Sequence, residues 1–387
     1  MQHRAIQTGG KILIAGGGVG GLTLGIALTR AGFGCEIFER EPELRPAGAG
    51  LALQASAMQA LQSLSLDSHV LRSGAEIRSL VFRSPDGGVL HRMRLKFVKA
   101  EFGHPIVAIH RARLQSVLVD ALGRTTIRTG KKLVDYAADQ SGVTAKFEDG
   151  YVARGVALVG ADGLRSAVRR QLLGNAPLRY AGYSSYRGIA PIFRGTPDDE
   201  VSKTWGRGVR FGHMPVAHGE TYWFAVFNAR EGEVTSAPKR MLRDMFRNFA
   251  APVPELIETT PEDRMIRTDI HHRVPVGCWS KGCVTLLGDA AHPTTPNLGQ
   301  GAGLAIEDAV VLAHQLSSVG DITAAFREYE RARIGRTTRI VNASWQIGWL
   351  GKLDGALSTL LRDLSFRAMP QSISKRQMRE NARFRLD

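Results

Sequence analysis

An α/β fold is predicted: a three-layer Rossmann-like domain, an inserted and mostly antiparallel β-sheet, and helices at the C-terminal end. Three observations carry the prediction. A short apolar run, Lys11-Ile-Leu-Ile-Ala15, feeds a glycine-rich turn and then a helical apolar pattern. A second apolar run, Val284-Thr-Leu-Leu287, feeds another glycine-bearing turn and helix far along the chain. Between them, residues 179–228 turn β-rich and aromatic-bearing.

The first run has the unbroken apolarity of a buried parallel strand. Gly16-Gly-Gly-Val-Gly-Gly21 follows, then a helix over 22–31 that stops at Gly32. A second strand, Cys35-Glu-Ile-Phe-Glu39, completes a βαβ opening. Residues 42–52 form a glycine-rich loop, and a helix covers 55–64. Strands cover 77–83 and 88–95 around the turn at Pro85-Asp-Gly-Gly88. A helix at 111–122 precedes strands near 125–129, 131–138, 142–147 and 152–159, and a short helix ends near Leu173. Strands over 183–192, 209–216 and 222–228 and a helix over 238–249 belong to the inserted sheet domain. Strands at 264–274 and 283–287 return the chain to the first domain. Helices over 299–317, 321–345 and 356–367 end in a basic tail, Lys375 to Arg385. The tail reads as a solvated helix face, because its basic residues lack a clean apolar stripe. The expected domains are 10–75, 98–178 and 275–325 for the Rossmann-like part, 76–97 and 179–274 for the sheet, and 326–387 for a helical region.

The 387 residues suffice for a large core in two or three lobes. A net charge of +15 raises nucleic-acid binding as a reading. Forty of the 51 basic residues are arginine, scattered rather than clustered, and no nucleic-acid fingerprint accompanies them. A basic surface is the expectation, with no nucleic-acid partner. Cys35, Cys278 and Cys283 cannot build a disulfide framework and suit a reducing cytoplasm. The Cys278-x4-Cys283 spacing falls on a turn, and a structural role is expected for it. No metal-ligand pattern, signal peptide or apolar run of membrane-spanning length is read.

Gly16, Gly18 and Gly21 form G-x-G-x-x-G between a strand and a helix, with Glu39 ending the second strand. The first glycine permits the turn, the second admits a pyrophosphate, and the third allows close helix–strand contact. A carboxylate at Glu39 suits a ribose diol, so a dinucleotide is the expected ligand. Two further elements separate its possible identities. One is Asp162-Gly163 after the strand at 156–160. The other is Gly288-Asp289, an acid at the end of a buried strand that needs a hydrogen-bond partner.

Together Gly16–Gly21, Glu39, Gly160-Ala-Asp-Gly-Leu-Arg-Ser-Ala-Val168 and Gly288-Asp-Ala-Ala-His-Pro293 with Gly299-Gln-Gly-Ala302 resemble the FAD-dependent class A, p-hydroxybenzoate-hydroxylase-like monooxygenases. Within them the salicylate-hydroxylase and zeaxanthin-epoxidase-like branch is nearest in pattern. The resemblance spans about residues 10–345. It implies an FAD-binding Rossmann-like domain, with NAD(P)H as co-substrate. Gly16, Gly18, Val19, Gly20 and Gly21 would line the diphosphate, with Glu39 on the adenosine ribose and Arg40 and Gly50 in the same cofactor-binding set. Arg111 would contact the diphosphate and ribityl region, Leu133 the adenine, and Asp162 both FAD and NAD(P)H. Asp289 would hold the ribityl chain. Pro296 would border the reacting face, and Gly299, Gly301 and Ala302 would point a helix start at the flavin N1–C2=O edge. One departure is visible: Gln54-Ala-Ser-Ala57 stands where the family often has Pro-Asn-Ala.

The implied reaction passes one oxygen of O2 through a flavin C4a-hydroperoxide to an aromatic small molecule. Epoxidation of an isoprenoid or aromatic alkene, or a flavin reductase or dehydrogenase on the same scaffold, stays open at this point. Arg187, His213, Tyr222 and Phe224 are the candidate substrate-pocket residues besides Pro296, with His213 as a candidate base toward a phenol. For His213 an ordinary sheet histidine is the competing reading, and for Arg187 a surface arginine.

Overall fold

The computed structural model describes residues 10–44, 49–123, 125–193 and 196–386. The central layer is a six-stranded sheet in the order Ser280–Lys281, Val284–Leu286, Ala157–Gly160, Ile12–Ala15, Cys35–Phe38, Thr126–Arg128. All its pairings are parallel except the first. Ile12–Ala15, Cys35–Phe38 and Ala157–Gly160 are buried at every position, which explains their unbroken apolarity. Helices Val19–Arg30 and Gly301–Val319 cross on one another, and their apolar sides enter the main core with the sheet.

Two small antiparallel sheets flank this layer. One holds Leu133–Asp139, Gly142–Phe147 and Val152–Gly155, and the other Gly50–Leu53, Ala75–Ile77 and Ile106–His110. The inserted sheet has seven strands in the order Ile266–His272, Arg179–Pro191, Glu220–Asn228, Val209–Pro215, Glu200–Trp205, Ser79–Arg83, Val89–Arg94. It is antiparallel except where Glu200–Trp205 runs parallel to Ser79–Arg83.

Two expected strands divide. The run at 77–83 breaks at Arg78, whose N–H goes to the Asp199 carbonyl, and its halves join different sheets. The run at 152–159 breaks at Val156 in the same way. Ile266–His272, in the run expected at 264–274, is the edge of the inserted sheet, paired with Arg179–Pro191, and the chain returns to the first domain after it. Residues 50–52 of the expected loop are strand, and residues 45–48 of that loop lie outside the described residues. Glu200–Trp205 and the helices Asp67–Ser73, Lys96–Phe102 and Val253–Thr259 went unpredicted, being short and weakly periodic. The basic tail is a helix, Gln371–Ala382. Among the described residues no helix is long and apolar enough to cross a membrane.

Candidate active site

The three motifs meet because three parallel strands end in one row. Ala15 is in register with Gly160, and Gly160 with Leu286. The chain therefore leaves the sheet at Gly16, Ala161 and Leu287 along one carboxyl edge, where open α/β sheets take ligands.

Gly16 has φ +111°, and a Cβ there would stand 2.3 Å from the Ala161 carbonyl oxygen. A Cβ on Gly21 would fall 1.9 Å from the Gly16 oxygen, so the helix start lies against the turn. Gly20 faces Leu287 and Ala305 at the helix crossing, while Val19 opens the helix. Gly18 differs: a Cβ there meets nothing within 4 Å. The turn presents bare backbone to open space, the cradle a pyrophosphate requires.

The Glu39 carboxylate accepts from Gly17 N at 2.7 Å and Glu41 N at 3.0 Å, which holds it at the mouth of the glycine turn. Arg40 beside it is exposed. Lys131 N donates to the Glu39 carbonyl at 2.7 Å, setting the segment before Leu133 against the end of that strand. The Leu133 side chain itself is buried in the core. Asp162 takes donors from Ser166 Oγ, Ala167 N (2.7 Å) and Val168 N (3.2 Å), so it caps the helix Ala167–Leu173. Burial raises its pKa.

Asp289 is open to solvent yet ringed by protein, as a cleft wall is. That crowding pushes its carboxyl up, against the charges of His292 and Arg111. Arg111 is exposed and begins the helix Arg111–Ala121. Pro296–Leu298 is a 3-10 turn, Gly299 is left-handed at φ +65°, and the helix Gly301–Val319 follows with no side-chain cap. Its first N–H groups are thus left to a ligand. Gly301 stands against Asp289: a Cβ there would be 3.8 Å from Oδ1. A bare glycine turn, a carboxylate at each end and an uncapped helix start fit a flavin dinucleotide.

Behind this edge lies a buried charge network that the motif reading missed. Asp308 accepts from His292 Nε2 at 2.5 Å, Arg333 Nε at 2.7 Å and Gly288 N at 3.1 Å. Arg333 and Arg336 each pair with Glu307 at 2.8 Å. Despite desolvation, His292 and Arg333 hold the Asp308 carboxyl down at about 2. The network ties the Gly288–His292 loop to two helices.

Opposite partners in an antiparallel sheet share a face. Lys203 and Phe224 both oppose Gly212, Arg187 opposes Phe224, and Tyr222 opposes Met214. Lys203, Arg187, Tyr222 and Phe224 therefore stand on one face, the one turned toward the cofactor domain. A Cβ on Gly50 would meet the Tyr222 ring at 2.4 Å. Arg187 donates to Thr268 Oγ1 at 2.5 Å and keeps a buried Nε without a partner. Burial pushes the Tyr222 hydroxyl up to about 12.

His213 is a correction. It opposes Ser202 and Trp223, one register step away, and so lies on the other face. There it lines a cavity of about 300 Å3 with Glu200, Arg83 and the 250–253 segment. Burial pushes its pKa down to about 4. It is no base toward a ligand beside Pro296.

The residues that do face the Pro296 turn went unnoticed in the sequence. Lys203 Nζ donates to the Asn297 carbonyl at 3.1 Å, and Arg210 Nη1 to Asn297 Oδ1 at 3.0 Å. Asn297 Nδ2 donates in turn to the Tyr183 hydroxyl at 2.8 Å. Arg210 lies between the Tyr183 and Trp205 rings, and its Nε and Nη2 are buried without partners. Neither cation has a carboxylate partner among the described residues. Burial and Arg210 push Lys203 down to about 8. The available signal was a lysine and an arginine among Val201, Trp205, Gly212 and Met214, the other residues on the inward face of their two strands.

Known proteins resemble this chain over most of its length. The profile described as FAD binding domain matches residues 10–344. The aurachin C monooxygenase/isomerase of Stigmatella aurantiaca is 43% identical over 98% of this chain and 99% of its own. An FAD-dependent urate hydroxylase of Klebsiella pneumoniae is 34% identical over 86% of this chain and 88% of its own. The solved structure of Klebsiella pneumoniae HpxO complexed with FAD and uric acid superposes with a TM-score of 0.91 at 30% identity, covering 97% of each chain. The chain belongs to the FAD binding domain family and is an FAD-dependent monooxygenase.

Proposed function

We propose that this enzyme inserts one oxygen atom from O2 into an aromatic small molecule whose ring carries an anionic or strongly accepting oxygen. One observation carries the substrate class: Lys203 and Arg210 are enclosed, lack a carboxylate partner and face the turn after Pro296. Two such cations are costly without an anion nearby. An oxyanion on the substrate would satisfy the free Arg210 N–H groups, and where it is a phenolate or urate oxygen it also makes the ring more electron-rich.

The residues around the cofactor divide their work. The Gly16–Gly21 turn takes the diphosphate, with Glu39 at the ribose and Leu133 near the adenine. Asp289 and Arg111 hold the ribityl region, and the helix start at Gly301–Ala302 faces the flavin's anionic edge. FAD, when bound and reduced by NAD(P)H, would supply the two electrons that activate O2, whose oxygen atom is the one transferred. Tyr222 keeps its proton, so it donates a hydrogen bond rather than acting as a base. The reading includes the domain division expected from the sequence, with the substrate between the inserted sheet and the Pro296 turn. Three free cysteines support a reducing, cytoplasmic setting.

The test is spectroscopic and then catalytic. Purified protein carries a flavin spectrum, and a hydroxylated aromatic acid or urate stimulates NAD(P)H oxidation together with oxygen uptake. A protein that cannot be reconstituted with FAD overturns the cofactor assignment. Substrate turnover without oxygen consumption overturns the monooxygenase.

A further inference from the structure

The helix Ala356–Arg367 is turned inside out. Its docked side carries Thr359, Arg362 and Phe366. Arg362 Nη1 donates to the Gly206 carbonyl at 2.9 Å, and Phe366 packs edge-on against Trp205 at 5.0 Å. The outward side carries Leu357, Leu360, Leu361 and Leu364, which are 70%, 56%, 58% and 48% exposed. Their i, i+3, i+4, i+7 spacing makes one continuous apolar stripe. Trp349 and Ile373, on the helices just before and after, are also exposed. Leucines held in water along one stripe mark a surface that something else covers.

The charge around the stripe selects the occupant. Residues 349–386 contain eight basic and three acidic side chains; Arg362, Arg376 and Arg379 are paired with Asp363, Glu380 and Glu101, and the chain carries +15 overall. A second copy would bring like charge against like. An anionic lipid surface offers an apolar boundary for the leucines and phosphates for the basic residues. We propose that this helix seats the protein on the surface of a bilayer rich in anionic phospholipid, its leucines at the headgroup–acyl boundary. Arg367, exposed at the helix end, follows Leu364 by three residues and Leu360 by seven and so continues the stripe's face toward the headgroups, while Arg376 on the next helix is exposed and paired with Glu380. The seated helix backs onto Trp205, whose ring also flanks Arg210, so the seat adjoins the inner face of the sheet. The inference does not depend on the cofactor assignment.

Flotation of the FAD-loaded full chain with vesicles tests it. The protein is expected to rise with phosphatidylglycerol/phosphatidylethanolamine vesicles, to stay down with phosphatidylcholine alone, and to be released by salt. A Leu360→Asp, Leu361→Asp double variant binds about tenfold or more weakly, and Arg367→Gln with Arg376→Gln weakens binding further. The exposed leucines make no core contact, so both variants keep wild-type flavin content and circular dichroism. The fluorescence blue shift on vesicle binding is smaller in Trp349→Phe. Wild-type protein that stays with the lipid-free fraction overturns the proposal. So does a leucine variant that floats like wild type, or a dimer in light scattering that this variant splits.

Discussion

Lys203 donates to the backbone carbonyl of Asn297 from 3.1 Å, tying the inserted sheet to the turn that begins at Pro296. With its pKa pushed down to about 8, Lys203 is charged below that pH and neutral above it. Affinity for anionic ring ligands such as 3-hydroxybenzoate or urate therefore falls as pH rises through about 8. Lys203→Met weakens these ligands and flattens that limb, as titration of the flavin spectrum against ligand and pH would show. An unchanged alkaline limb in the variant removes Lys203 from the site.

Arg210→Met leaves the substrate oxygen without its donors and costs about 1.5–3 kcal/mol of ligand binding. The same titration reads it, and matched neutral ligands such as 3-hydroxybenzamide should lose less. Equal losses for both would mean that the arginine only shapes the pocket.

The glycine turn offers a paired test. Gly21→Ala drives a methyl into the Gly16 carbonyl and lowers stability by about 1–3 kcal/mol. Gly18→Ala has room in the protein alone and leaves the urea midpoint unchanged. It weakens FAD binding, because the added methyl occupies the diphosphate approach. Unaltered FAD affinity in Gly18→Ala would place the diphosphate elsewhere.

Arg333→Met leaves the enclosed Glu307 with Arg336 as its one remaining cation and the enclosed Asp308 with only His292 and Gly288 N, and lowers stability by about 3–5 kcal/mol. The Asp308 carboxyl sits at about 2 when folded, against about 3.9 for a free aspartate. Its stabilisation is present above the free value and is lost as pH falls through about 2. In the variant, stability is lost at higher pH, which chemical denaturation across an acid pH series measures.

His213→Gln spares turnover, because His213 lies on the far face of the sheet. It does change acid stability. A neutral histidine held at about 4 resists a proton that the unfolded chain accepts near 6.5, so wild-type stability drops as pH falls from 6.5 to about 4. The glutamine variant loses that slope. A large fall in kcat would return His213 to the reaction.

The Gly16–Gly21 turn was legible because spacing, strand and helix all sit within one short segment. The face of His213 was not, because one step of register decides it and Phe211-Gly-His-Met-Pro215 holds no anchor for the parity. Lys203 was hidden for a related reason: its strand is short, and Lys203 itself breaks the apolar alternation of Val201 and Trp205 that would have marked it as a strand. The 356–367 helix was visible from its period. Which side would dock was not, since the stripe of four leucines is the side left in water. The ion network escaped notice because its acids and arginines sit on different helices, 25 to 29 residues apart.

The row formed by Ala15, Gly160 and Leu286 also bears on biosynthesis. The nucleotide turn at Gly16–Gly21 is made long before the strand Val284–Leu286 and the helix beyond it emerge. A growing chain can shape the turn early, yet it cannot close the cleft until Ala302 has left the ribosome. Cofactor capture is then expected to be a late event, made by a chain whose segments at Ala15, Gly160 and Leu286 have already met.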